Sequence, residues 1–429
     1  MRGRRRERAR ENERARESEH ERGGGRSRPA GFSRRHLLLG GTAAGLGATA
    51  ATAAHGLLGE APRAAPEPPA TELNGGLTVA FHGVRQAGVE TPPQAHGTFL
   101  ALDLAPETDA DGVRRLLRLL TDDASRMSRG EPALADSEPE LAAVPARLTT
   151  TFGFGRGLVE RVDPGAVPDW LGPLPEFDHD RLDDAWGEAD LLLQVCADDP
   201  VTVAHTVRML LKDARAFARV RWSQSGFRRA YGSQPAGTTM RNLMGQVDGT
   251  VNLVPGTDDF ERLVWGTGEP AWLRGGTSLV LRRIATDLDT WDEVDRPARE
   301  AVIGRRLDNG APLTGSAEHD EVDLAATDAS GLAVIPEFAH VRRARTDDPD
   351  QRIFRRGYNY DQRGAGDGEA GLLFASFQTD PSRQFTPIQR RLDELDLLNQ
   401  WTTAVGSAVF AVPPGCAEGE YVGQALLEG

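Results

Sequence analysis

The chain has 429 residues, a formal net charge of −14 and two cysteines, Cys196 and Cys416. Residues 1–55 carry thirteen arginines against six acids, which leaves the remainder near −21, a surface that repels nucleic acid and anionic lipid. Two cysteines exclude a four-thiolate metal site and a disulfide framework.

From the N-terminus, residues 1–35 are charged and lack apolar periodicity. Ser33-Arg34-Arg35-His36-Leu37-Leu38-Leu39 then leads into an uncharged Gly- and Ala-rich run from Gly40 to Ala54. Ala48-Thr49-Ala50 and Ala51-Thr52-Ala53 are the cleavage options. Charged region, short apolar run and small-residue cleavage site predict a signal peptide over residues 1–55. The arginine pair ahead of the run makes it the twin-arginine (Tat) type. The run is too short to span a bilayer, which takes about 20 apolar residues. The expectation is therefore a secreted protein with no membrane association once the leader is cut. Residues 56–72 read as a linker.

Beyond the linker, roughly twice the length of an ordinary domain remains, and one pattern of elements occurs twice. In the first half (73–235) it predicts strand 97–104, helix 113–127, strands 147–154 and 189–196, helix 200–217 and strand 218–223. In the second (236–429) it predicts strand 277–285, helix 290–306, strands 354–360 and 372–378, helix 387–401 and strand 406–412. Strand–helix–strand–strand–helix–strand is the ferredoxin-like unit. The fold class is thus α+β: two ferredoxin-like units whose antiparallel sheets combine, with helices outside and a pocket between. The Pro- and acid-rich tracts 130–140, 163–184 and 307–330 read as loops. Cys196, in an apolar run, reads as a buried small hydrophobe, with a disulfide to Cys416 left open.

Six histidines follow the leader. His319 sits in an acidic loop, His179 in a Pro/Asp-rich loop, and His205 on a helix that reads as surface. His82 and His96 lie near the start of the first half. His340 stands in Ala339-His340-Val341-Arg342-Arg343. About ninety residues earlier comes Arg241-Asn242-Leu243-Met244-Gly245-Gln246-Val247-Asp248-Gly249-Thr250-Val251-Asn252, and shortly after comes Ile353-Phe354-Arg355-Arg356-Gly357-Tyr358. Alone, Gly245-x-x-Asp248-Gly249 is a Gly-rich turn with an Asx cap.

In this order the three segments resemble the active site of dye-decolourising peroxidases. So do Phe81-His82-Gly83, Gln86-Ala87-Gly88, Thr151-Phe152-Gly153-Phe154-Gly155, Gly304-Arg305-Arg306 with Gly310-Ala311-Pro312-Leu313, Gly371–Gln378 and Phe385-Thr386-Pro387-Ile388-Gln389. The resemblance spans most of the chain beyond the leader and includes the deferrochelatase-like branch. It implies haem b on His340, an axial ligand that such an iron accepts. It implies hydrogen peroxide and small-molecule reductants as partners, with dyes and phenolics oxidised through a ferryl (Compound I) intermediate.

Site roles follow from the same resemblance. Asp248 handles the peroxide proton, and Arg355 supplies fixed positive charge. Asn252 hydrogen-bonds in the distal pocket. Arg241 and Asn242 either sit near the propionates or position the loop, and Gly249 lies by the cofactor. Arg356, on the strand face opposite Arg355, serves structure or a propionate. Leu372 and Phe374, alternating in a strand, either wall the distal side or belong to the core. On the proximal side an electron-rich imidazole calls for a carboxylate partner, for which Asp396 is the first choice and Asp393 the next, unless both simply lie on an exposed helix face. The family motif often has Phe-Lys where this chain has Gln246-Val247. An aspartate, with a reference pKa of about 3.9, stays ionised where a histidine base would be protonated, so dye oxidation is expected to be fastest in acid. Bulky reductants require an electron relay, for which Trp265, Trp272, Trp291, Trp401, Tyr358 and Tyr360 are available. The alternative is a deferrochelatase that frees iron and leaves the porphyrin intact. A haem carrier or sensor is the third reading, and it has no use for the Asp248/Arg355 pair. The oligomeric state is left open, a homo-oligomer included.

Overall fold

A computed structural model describes residues 73–266, 268–364 and 368–429. The signal peptide and linker expected over 1–72 lie outside the described residues. Among the described residues no helix is long and apolar enough to cross a membrane.

The first half runs β1 (His96–Leu104), α1 (Ala110–Ser128), β2 (Thr149–Phe154), α2 (Arg156–Val162), β3 (Leu191–Ala197), α3 (Pro200–Ala214) and β4 (Ala218–Phe227). After α4 (Asp258–Val264) the second half runs β5 (Thr277–Thr286), α5 (Leu288–Glu293), α6 (Arg296–Ile303), α7 (His340–Ala344), β6 (Phe354–Arg355), β7 (Tyr358–Asp361), β8 (Ala370–Gln378), α8 (Phe385–Leu395) and β9 (Thr402–Val412), and α9 (Gln424–Glu428) ends the chain. The strand order is β4–β1–β3–β2 in one half and β7–β8–β5–β9 in the other. Each is the order of a ferredoxin-like unit. Even the irregularities match: β1 slips register against β4 at Ala101/Leu102, and β5 slips against β9 at Arg283/Ile284.

All strands belong to one antiparallel sheet, which closes on itself because β8 also pairs with β5. The two joints between halves are thin, a single pair each: Phe154 opposite Ala411 and Phe227 opposite Asn359. Side chains alternate across the strands, and both faces are covered. Phe99, Leu192, Leu279, Leu373, Phe377 and Phe410 fill the inside. Leu100, Leu102, Leu193 and Val195 face outward against Val113, Leu116, Leu117 and Leu120 of α1. Burying each of these side chains contributes about 1.5–3 kcal/mol, which is what commits α1 to the sheet. Asp109 caps α1, its carboxylate accepting from the Gly112 amide at 2.8 Å. Cys196 and Cys416 are both free and buried.

Some boundaries differ from the sequence reading, each for a local reason. The helix expected over 290–306 is two helices, α5 and α6, because the Asp295 carboxylate caps a new start and Pro297 occupies the first turn. Strand 147–154 begins two residues late because Ala146 and Arg147 have φ of 46° and 59°, values foreign to a strand. Helix 387–401 starts earlier and stops at Leu395, where Asp396 caps a short 3-10 turn. Strand 354–360 is interrupted at Arg356-Gly357, and both pieces lie along β8.

At the β2/β9 joint a carboxylate does the work of a missing strand. The Val409 amide donates to both oxygens of Glu188 at 3.1 Å. Burial pushes the Glu188 carboxyl up to about 7, against the opposing pull of the Val409 N–H and of Arg221. The folded chain therefore holds a proton that the unfolded chain has lost between about pH 4.5 and 7, and this contribution to stability falls as pH rises through that window. Glu188→Gln is expected to remove the loss, making the variant up to about 3 kcal/mol less pH-sensitive than the parent. Urea denaturation of both proteins at pH 5 and pH 8 measures it.

Candidate active site

The segment 240–248 is a small hairpin. Arg241 bridges Val247, the Asp248 amide donates to the Met240 carbonyl at 2.8 Å, and the Asn242 side-chain oxygen accepts from the Gln246 amide at 3.1 Å. Gly245 makes the turn at φ 85°, where a side chain would be strained. The Arg241 guanidinium is spent on backbone, donating to the carbonyls of Gly245, Leu307 and Asp308 at 2.6–2.8 Å. It frames the loop. The Asn242 amide reaches Asp248 Oδ2 at 3.4 Å. Gly249 (φ 132°) has the Thr239 methyl 3.3 Å from the place a Cβ would take.

Arg355 meets this loop from the sheet. Phe354 belongs to the barrel interior, so Arg355 points out, on the face it shares with its partner Ser376 and with Phe374 and Leu372. Its Nη1 donates to Asp248 Oδ1 at 2.8 Å, with both side chains partly open at 28% and 20%. β6 is too short to satisfy its own edge, and Asn252 does so. Asn252 Oδ1 accepts from the Arg355 amide at 2.7 Å, and Asn252 Nδ2 donates to the Arg355 carbonyl at 2.8 Å. Asn252 thus grips the backbone of Arg355, a use that differs from the distal-pocket hydrogen bond expected. Arg356 turns away. It is fully buried and donates to the Thr91 carbonyl and to Gln94 Oε1, tying the sheet to the first half.

His340 opens α7. Its Nδ1 pairs with Asp396 Oδ2 at 2.5 Å, and Asp396 Oδ1 accepts from the Leu398 amide at 3.0 Å. Burial by itself would push the imidazolium down. Asp396 overrides this by charge and hydrogen bond, and the imidazole ends above the ordinary histidine value. Asp248 adds to the rise and Arg355 opposes it, so His340 lies within the field of both. The imidazole is half-buried, with 34% of its side chain accessible. With Nδ1 engaged, Nε2 is the ring nitrogen left to act as a ligand. Asp393 is committed elsewhere, accepting from His179 Nδ1 and from the amides of Asp178 and His179 at 2.9–3.0 Å.

Phe374 and Leu372 are half-buried, and the Phe374 ring lies 6.1 Å from that of Phe385 on α8. His205, expected at the surface, is buried and bonded through Nε2 to Asp136 at 2.8 Å. Of the aromatic side chains considered for relays, Trp265, Trp272, Trp291, Tyr358 and Tyr360 are buried, and Trp401 is half-buried with its ring 5.1 Å from Trp291.

Two family models match this chain: Dyp-type peroxidase, N-terminal, over residues 86–228, and Dyp-type peroxidase, C-terminal, over residues 239–417. A dye-decolorizing peroxidase of Thermobifida fusca (strain YX) is 41% identical over 424 residues, covering 93% of this chain and 98% of the relative. The chain belongs to the Dyp-type peroxidase family. Among solved Dyp-type structures, the peroxidase from Cellulomonas bogoriensis superposes with a TM-score of 0.80 at 56% identity, covering 83% of this chain and 99% of that one. Ferric DtpA from Streptomyces lividans gives a TM-score of 0.80 at 44% identity, covering 84% and 100%. A deferrochelatase of Escherichia coli (strain K12) is 33% identical over 370 residues, covering 81% of this chain and 86% of the relative. The chain is accordingly an enzyme of the peroxidase type.

In this Dyp-type peroxidase the Asn252 grip can be tested without any assay of activity. Asn252→Ala leaves the amide and carbonyl of Arg355 unpaired and is expected to lower stability by about 1–3 kcal/mol. A shift in the urea midpoint measures it.

Proposed function

We propose that the chain is a secreted, Tat-exported haem peroxidase that uses hydrogen peroxide to oxidise dyes and phenolic reductants, with haem b on His340. The observation that carries this reading is the Asp248–Arg355 pair at 2.8 Å, whose charges both act on a half-buried histidine with its Nδ1 already taken. The donor set fits a haem: one imidazole nitrogen free to ligate, a carboxylate behind it, and half-buried Leu372 and Phe374 on the sheet face that carries Arg355.

Bound haem supplies the iron at which peroxide is reduced. The protein supplies the proton traffic and the field. Asp248, oriented by Asn242 and Arg355, takes the proton of the nearer peroxide oxygen and returns it to the farther one, so that water leaves. Arg355 holds a charge that needs no proton loss and stabilises the negative charge that builds on the departing oxygen. Asp396 keeps the proton on Nδ1 of His340, which directs the Nε2 lone pair outward and makes the ligand electron-rich. Arg241 and Arg356, whose terminal nitrogens donate to protein acceptors, belong to the frame in this reading.

Asp248→Asn is expected to slow the second-order reaction of the ferric holoprotein with peroxide by about 10²–10⁴-fold. Arg355→Leu is expected to cost about 10²–10³-fold. Stopped-flow absorption measures both, and a double variant that reacts at the parental rate contradicts the assignment. Dye oxidation is expected to be fastest in acid, and a flat rate profile from about pH 3 to 8 contradicts that expectation. The deferrochelatase relatives define the rival activity, and iron-free porphyrin fluorescence that rises when holoprotein meets a reductant alone would put it in place of peroxidase action.

A further inference from the structure

The tract 307–330 reads in the sequence as a loop, but one of its side chains closes the base of the Asp248 hairpin. Glu318 Oε1 accepts from Thr239 Oγ1 at 2.6 Å and from Thr250 Oγ1 at 3.0 Å. These threonines stand nine residues before Asp248 and two after it. One carboxylate oxygen therefore holds together the two strands of chain between which Asp248 is presented. Hydroxyl-to-carboxylate bonds of this kind are charge-assisted and stronger than neutral ones.

The clamp is itself anchored. Arg305 Nη1 donates to the Glu318 carbonyl at 2.9 Å and to the Gly310 carbonyl at 2.7 Å, and Arg305 is 7% exposed. The Glu318 side chain is mostly covered, at 25% exposure, whereas the neighbouring His319 side chain is 75% exposed. Inside the hairpin the backbone closes itself through the Asp248 amide and the Arg241–Val247 bridge. At its base Gly249 packs on the Thr239 methyl, and the two threonine hydroxyls converge on Glu318.

We propose that Glu318 is a positioning residue for Asp248, holding its carboxylate in register with Arg355 from outside the pocket. The kinetic consequence rests on the peroxidase reading; the clamp does not. The test compares haem-loaded Glu318→Ala with Glu318→Gln, which keeps an acceptor oxygen at the same reach. Displacing a catalytic group by about 1 Å costs on the order of 10²-fold, so Glu318→Ala is expected to slow peroxide reduction by about 10–100-fold with the KM for dye unchanged. Glu318→Gln is expected to stay within about two-fold of the parent, since the hydroxyls keep their acceptor. In the same samples, amide hydrogen exchange over residues 239–252 is expected to quicken in the alanine variant only.

Parental peroxide kinetics and parental exchange in Glu318→Ala overturn the proposal, as does a glutamine variant as impaired as the alanine one. Should Glu318→Ala fail to fold, Thr239→Val with Thr250→Val removes the two donors instead and is expected to give the same pattern. If the parent binds no haem or ignores peroxide, the peroxidase reading fails while exchange still decides the clamp: faster exchange in the alanine variant upholds it and unchanged exchange overturns it.

Discussion

The contact on which the site depends is the 2.8 Å ion pair between Arg355 and Asp248. It joins a hairpin that precedes α4 to the short strand β6 of the sheet. Such a pair adds little stability when partly open to water, and its value here is geometric. A carboxylate on a hairpin has several rotamers available; one bonded to a strand-borne guanidinium on one side and to the Asn242 amide on the other has its direction set. Arg355 in turn has its backbone gripped by Asn252 and its chain neighbour Arg356 buried against Thr91 and Gln94. The chemistry proposed for the pair needs this rigidity, because proton transfer tolerates little error in distance.

Duplication explains why such a site is available. Two ferredoxin-like units close a single sheet through joints one residue pair wide, and apolar side chains such as Phe99, Phe377 and Phe410 occupy its inside. The outer face of the second sheet is where half-buried Leu372 and Phe374 remain, with Arg355 on the same face. The long connections that the basic unit does not require, 228–257 and 304–339, are the ones that bring Asp248, Asn252 and Glu318 to it. The scaffold supplies a fixed wall, and the inserted loops supply the reactive groups, the usual division between rigid elements and functional loops.

How much of this was legible in sequence depends on whether the signal is local. Both halves could be read because strands buried on two faces give short apolar runs, and helices such as α1 repeat Leu at helical spacing. His340, Asp248 and Arg355 could be named from motif segments, although no periodicity points to them. The break at Asp295-Arg296-Pro297 was visible in principle as a cap followed by proline, inside what otherwise scans as one helix. The Asn252–Arg355 grip spans 103 residues and the Glu318–Thr239 bond spans 79. Each is a single polar contact between loops and leaves no pattern. Asp393 and Asp396, three apart, fall on one helical face in a sequence reading; only the end of α8 at Leu395 places Asp396 in a turn that faces His340. His205 looked like a surface residue because its partner Asp136 lies in another loop.

The most direct test of the whole account is the absorption spectrum of the protein produced with haem, recorded before and after one equivalent of hydrogen peroxide. The account predicts a Soret band in the resting protein that shifts within seconds of mixing. A protein that shows no Soret band despite haem supply would contradict it, and would leave the Asp248 hairpin and His340 as structural turns.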